Sequence, residues 1–148
     1  MKGPRIFTIG FAGRSAESFF EALQSAGVRA VVDIRLNNAS QLAGFTKKRD
    51  LEYFLDAVAG IKYVHAVELA PSPELFDAFK RSRSIGWDEF ERRFNDLLAS
   101  RDPAKRFRPE DLDGACLLCS EPEPQQCHRR LVAEYFQKAW TDVAIVHL

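Results

Sequence analysis

The stretch CLLCSEPEPQQCHRR, residues 116–130, holds all three cysteines of the chain, with a histidine and two arginines directly after the last. Residue types at such spacing can make a redox pair, a metal site or an activated thiol, or mark only the turn from a strand into a helix. Cys116 and Cys119 have the C-x-x-C spacing, but they lie in an apolar run that reads as a strand. An odd offset in a strand turns two side chains to opposite faces. A thioredoxin-type pair belongs at a helix N-terminus, so the redox reading of this pair is rejected. Cys116 is expected as a small buried hydrophobe.

Three readings remain for Cys119, Cys127 and His128. In the first, Cys119 or Cys127 is a thiolate stabilised by a helix terminus and a nearby imidazole or guanidinium, and acts as a nucleophile. In the second, the three bind zinc, with Glu121, His65 or water as the fourth ligand. The spacing C-x7-C-H is unusual, since zinc modules more often pair ligands two to four residues apart. In the third, the cysteines are packing, His128 caps a carbonyl and the arginines are solvated. Free cysteine is commonly buried, which favours the third reading for any one residue alone. Together they favour a functional site, with no residue assigned to a metal and no cofactor expected.

The elements that must carry these residues alternate along the chain. Ile6–Gly10, Val28–Arg35, Ile61–His65, Ala115–Cys119 and Val143–His147 read as strands, with the Val31–Val32 pair a strong β signal. Ser15 caps a helix bearing Phe19, Phe20 and Leu23 that Gly27 stops. Thr46 caps a second helix, carrying Leu51 and Leu55 and closed by Gly60. Ser72 with Pro73 opens a short helix. Trp87, Phe90, Phe94, Leu97 and Leu98 form an amphipathic stripe, and residues 101–114 read as an exposed loop. Pro124 fits the first turn of the last helix, where Cys127 and His128 lean inward and Arg129 and Arg130 point elsewhere. This alternation predicts one α/β domain over residues 1–148, with a largely parallel sheet covered by helices on both faces in a Rossmann-like three-layer arrangement.

Open α/β sheets bind ligands at the carboxyl ends of their strands. Arg14, Asp33, Arg35, His65, Glu68, Cys119 and Glu121 all fall there. Asp33, inside VVDIR, costs several kcal/mol if buried unpaired, so an ion pair with Arg35 or Arg14 competes with a catalytic role. His65 reads as a structural hydrogen-bonder. The leading expectation is an enzyme for a small anionic, phosphate-bearing ligand held by Arg14, Arg35 and Arg129 beside Cys127. Cys119 serves as its thiol, with His128 and Glu121 or Asp33 handling protons. The alternative is a non-catalytic module binding a nucleotide, a nucleic-acid end or a partner protein, with or without a stabilising metal.

Composition bounds these choices. A 148-residue chain buries roughly 68–70% of its unfolded surface. Its 46% hydrophobic and 28% charged content is that of an ordinary globular chain, with twelve Phe against one Met. Lys+Arg and Asp+Glu are both 21, so no global charge draws it to nucleic acid or an anionic membrane. The clusters at Lys47–Arg49 and 101–108 give only weak nucleic-acid support. With no apolar h-region at the N-terminus, the expected address is the cytoplasm. Three cysteines there favour thiols or a metal site over a disulfide framework.

Four segments carry a resemblance: TIGFAGRS at 8–15, VVDIRLNNASQLAGF at 31–45, YVHAVELAP at 63–71 and LLCSEPEPQQCHRRLVAEYF at 117–136. The chain resembles the bacterial and archaeal family called domain of unknown function 488 over nearly its whole length. The most specific element is C-S-E followed by C-H-R, here Cys119, Ser120, Glu121, Cys127, His128 and Arg129. The D-x-R of Asp33 and Arg35 also matches. Phe11, Ala12 and Gly13 replace polar positions of the family's T-I-G-H-S-N-R motif, and Asn37 and Asn38 stand where many members have proline. The chain looks like a subgroup with an N-N-x-S-Q-L-A-G-F loop. The resemblance implies an α/β fold and a shared polar site, and supplies no reaction.

Overall fold

Short runs that are mostly apolar become short parallel strands. The computed structural model describes residues 3–37 and 47–148. Thr46 and residues 38–45 of the N-N-x-S-Q-L-A-G-F loop lie outside them. The strands are β1 (Arg5–Gly10), β2 (Ala30–Asp33), β3 (Lys62–His65), β4 (Ala115–Cys119) and β5 (Ala144–His147). The helices are α1 (Ala16–Ala26), α2 (Lys48–Phe54), α3 (Pro73–Phe76), α4 (Trp87–Arg101), α5 (Pro109–Leu112) and α6 (His128–Ala139). A π turn continues α2 over Leu55–Ala59 and another continues α3 over Asp77–Arg81.

The five strands form one parallel sheet in the order β3-β2-β4-β1-β5. Side-chain alternation sorts them between two layers. Ile6, Val32 and Leu117 pack with Phe90, Phe94 and Leu98 of α4 and Leu131, Val132 and Phe136 of α6. Phe7, Ile9, Val31, Cys116 and Leu118 pack on the other face, against Phe19, Phe20 and Leu23 of α1 and Leu51 of α2. The expected three-layer α/β arrangement is present. No helix among the described residues is long and apolar enough to cross a membrane.

Local signals account for the helix ends. The Ser15 hydroxyl accepts the Ser18 N–H at 3.1 Å, satisfying one orphan donor of α1. Gly27 closes α1 at φ 73°, where a side chain would be strained, and its N–H bonds the Gln24 carbonyl. The Ser72 hydroxyl caps α3, with Pro73 at its first position. Two expectations need correction. Residues 101–114 are not simply an exposed loop: they contain a 3-10 turn (Pro103–Lys105) and α5, with Pro103 and Leu112 buried. Single apolar residues anchor short turns without any period to reveal them. The last helix also starts later than Pro124, at His128, with Cys127 as its N-cap. The Cys127 N–H bonds the Pro124 carbonyl at 3.2 Å, so residues 120–127 make a turn first.

Candidate thiol site at the strand ends

Parallel pairing aligns the carboxyl ends of the central strands. Gly10 of β1 stands beside Cys119 of β4, and Asp33 of β2 beside Leu118. The pairing continues past the strands, with Phe11 N–H to the Cys119 carbonyl at 3.2 Å and Ala12 N–H to the Ser120 carbonyl at 2.9 Å. The turn 120–122 is then fastened by Arg129, a fully buried guanidinium. Its Nε donates to Thr8 Oγ1 at 3.2 Å, and its two terminal nitrogens donate to the Glu121 and Pro122 carbonyls. Gly10 makes room for this, because a Cβ there would overlap the Glu121 carbonyl and crowd Arg129. Arg129 was expected to point away from the helix's inner face. It points inward, where three oxygens take the place of water around its charge.

Above this turn is a cavity of about 90 Å³. Cys119, Cys127 and His128 form its floor, Phe79 and Trp87 part of its wall, and Lys80 and Glu121 are paired at its edge. The Phe79 ring stacks on Phe90 and Phe90 on Phe94, so the wall continues the core stripe of α4. Lys80 also lies over the Phe79 ring. Arg35 reaches the cavity too.

The floor is organised around the Cys119 sulfur. Cys119 Sγ, Cys127 Sγ and a His128 ring nitrogen lie within 4.8 Å of one another. The hydrogen bond from the Cys127 thiol is the main influence holding the Cys119 thiol below its ordinary range, against the cost of burial. The Ser120 and Glu121 N–H groups and the Arg129 charge act in the same direction. Cys127 is pushed up, first by donating to Cys119 and then by burial. Cys116, on the other face of β4, is pushed up by burial in the α1 layer. The three thiols therefore have three different characters.

His128 is positioned from behind. Its Nε2 lies 2.8 Å from the Ile34 carbonyl, an acceptor that makes Nε2 the protonated nitrogen and leaves Nδ1 as the lone-pair side. Cys119 Sγ lies 3.4 Å from Nδ1 and 3.9 Å from Nε2. A sulfur on the lone-pair axis of Nδ1 would be much farther from Nε2, so Cys119 sits beside the ring. A metal ion on that axis would stand away from Cys119. The three donors could hold a thiophilic cation only after the imidazole turns.

The other sequence candidates divide by strand parity. Asp33 is fully buried, and its side chain follows Val31 toward the α1 layer, whereas Cys119 follows Leu117 toward α4 and α6. Its carboxylate accepts from Arg35 N–H at 3.1 Å, from Arg35 Nε at 2.9 Å and terminal nitrogen at 2.8 Å, and from the Tyr63 hydroxyl at 2.6 Å. Asp33 thus stands at the right end of the sheet without lining the cavity, and orients Arg35, which does. His65 bonds the Arg35 carbonyl at 2.9 Å, as a structural hydrogen-bonder would. Arg14 donates to Ser18 on α1 and does not reach the cavity. The Glu68 carbonyl takes the Arg101 guanidinium at 2.8 Å, away from the thiols. Sequence reasoning missed Lys80, Phe79 and Trp87 as cavity residues. The aromatic stripe was visible, but nothing in its period marks which end stops short of the core.

No curated protein matches the chain, and no solved structure does. Residues 15–136 match the family described as domain of unknown function DUF488. That match spans α1 to most of α6 and includes Asp33, Arg35, Cys119, Glu121, Cys127, His128 and Arg129; the chain therefore belongs to the DUF488 family.

Proposed function

We propose that the protein is an enzyme acting on a small anionic ligand through a Cys119 thiolate. The observation that carries this reading is the placement of Cys119. It ends the central strand at the floor of the cavity, its sulfur within 4.8 Å of the Cys127 sulfur, and the Cys127 thiol with the Ser120 and Glu121 N–H groups holds its thiol below the ordinary range. Such donors favour thiolate over thiol, and the thiolate is the nucleophile. His128 lies beside the sulfur, where it can exchange a proton with a bound ligand or leaving group, and Glu121 is the carboxylate at the edge. Lys80 and Arg35 supply positive charge for the anion, and Phe79 with Trp87 offers an aromatic wall for the rest of the ligand. Arg129 and Asp33 are positioning residues, holding the 120–122 turn and Arg35 respectively.

Thermal shift with inorganic phosphate, sugar phosphates and nucleoside monophosphates tests the reading. A ligand specific to the folded state, at 100 times its Kd, adds ~2.7 kcal/mol of stability. The expected ligand raises the Tm, slows alkylation of Cys119 and loses affinity in Lys80→Ala. Stabilisation without protection of Cys119 would move the ligand elsewhere.

One observation favours a second reading: the two sulfurs and the imidazole converge closely enough for zinc with an open fourth position. The sideways approach of Cys119 to the ring opposes it. Elemental analysis of protein purified without chelator separates the two. About one zinc per chain would make Cys119 a ligand and remove it as the nucleophile.

A further inference from the structure

Cys127 has no part in the proton handling proposed above, yet its sulfur lies within 4.8 Å of the Cys119 sulfur. Both cysteines line the cavity and both are buried, at 5% and 2% exposure, so a reagent that reaches one reaches the other only through that space. Cys116 lies on the opposite face of β4 and cannot compete. Cys127 is also the N-cap of α6, with extended backbone, at the end of the 120–127 turn. The two sulfurs lie within 4.8 Å of one another, so an S–S bond of about 2.05 Å asks for a closing movement of under about 3 Å.

We propose that Cys119 and Cys127 form a peroxide-sensitive dithiol, in which Cys119 is the oxidised sulfur and Cys127 resolves it to an intramolecular disulfide. The proposal rests on the Cys119 thiolate reading and adds an oxidant class and a second sulfur to it. The Cys119 thiolate attacks one oxygen of hydrogen peroxide or a small alkyl hydroperoxide. An S–O bond forms, the O–O bond breaks, and hydroxide or alkoxide leaves to take a proton from water. Cys119 is then a sulfenic acid. The Cys127 sulfur attacks the Cys119 sulfur, the S–S bond forms, and the S–O bond breaks. The departing hydroxide carries off the Cys127 proton as water. The two cysteines have given up two electrons and the peroxide has gained them. An external dithiol restores the pair by exchange.

The asymmetry of the pair suits this order of events. The thiol lowered by its neighbours is the one that attacks, and the thiol raised by donating to it stays protonated until the sulfenic acid forms. Once Cys119 is oxidised it no longer draws on that proton, which frees Cys127 as the second nucleophile. Hydrogen peroxide is small enough for a cavity of about 90 Å³.

Differential labelling of the whole chain tests this. The protein is treated with hydrogen peroxide at neutral pH and unfolded, its free thiols are blocked in denaturant with one reagent, and the chain is then reduced and labelled with a second. Tandem mass spectrometry then assigns the labels. The expected product has lost two hydrogens, retains one free thiol (Cys116) of the three, and carries the second label on Cys119 and Cys127. In Cys127→Ser, the Cys119 sulfenic acid should persist and be trapped by dimedone. Wild-type protein that accumulates Cys119 sulfenic or sulfinic acid while Cys127 stays free would overturn the resolving role and leave the thiolate reading standing. A Cys119 inert to both peroxide and alkylating reagent would overturn both. The wild-type labelling decides the matter even if the serine variant folds poorly.

Discussion

Cys119 and Asp33 end neighbouring strands, yet a single step of side-chain alternation gives them different work. Cys119 meets the cavity, and its thiol is held down chiefly by the Cys127 hydrogen bond. A group with a lowered native value contributes stability as thiolate above the unfolded thiol's range and loses it as pH falls through the native value. Alkylation of Cys119 should therefore continue at pH values where an ordinary thiol, near ~8.5, is protonated, while Cys116 and Cys127 stay slow. In Cys127→Ala the donor is gone, and the Cys119 pH–rate profile should move to higher pH. A profile that does not move would show that Cys127 has no hold on the sulfur. Asp33 meets Arg35 and Tyr63 instead. Removing one partner of a buried ion pair costs ~3–5 kcal/mol. Asp33→Ala should lose stability on that scale in urea denaturation, and a cost below about 1 kcal/mol would match only an exposed pair.

At the scale of elements, the site depends on how β1, the 120–127 turn and the start of α6 fit together. Gly10 supplies the space and Arg129 the hydrogen bonds. Adding a methyl at Gly10 would force the Glu121 carbonyl aside, and overpacking of this kind typically costs ~1–3 kcal/mol. Gly10→Ala should therefore lower the Tm and also change the alkylation rate of Cys119, because the Ser120 and Glu121 N–H groups move with the turn. A stability loss with the Cys119 rate untouched would mean that the turn does not set the thiol's environment. Gly10 thus acts at a distance from the sulfur, through the path of the backbone.

Across the whole molecule the sheet separates two apolar layers, one with α4 and α6 and one with α1 and α2. Leu98 and Leu23 are fully buried, one in each. Truncating a buried leucine to alanine costs ~2–5 kcal/mol. The layers share no side-chain contact between these two residues, so Leu98→Ala and Leu23→Ala should add within ~0.5 kcal/mol in the double variant. Strong coupling in the urea-denaturation cycle would show that strain passes through the sheet. The layering also divides labour. The α4 and α6 side builds the cavity, and the α1 and α2 side holds Cys116 and the Asp33 network.

Strand runs, caps and amphipathic stripes were legible in the sequence because each is a local pattern of period two or 3.6. Ser15, Gly27, Ser72 and the run Ala115–Cys119 marked their elements without help from the rest of the chain. The same alternation places Cys116 and Cys119 on opposite faces, and the strand ends share one edge of the sheet. Other features depend on contacts between distant segments. Helical position alone would turn the Arg129 guanidinium outward, because it says nothing about carbonyls from a turn seven or eight residues earlier. Pro124 looked like the start of a helix, since a proline fits either a first turn or the loop before it. Lys80 and Phe79 reach the cavity only through the packing of α3 and its π turn against α4. The sequence by itself determined which residues carry the chemistry and which edge they share. Tertiary structure decided which of them face one another, because strand parity and loop closure turn neighbours on that edge toward different layers.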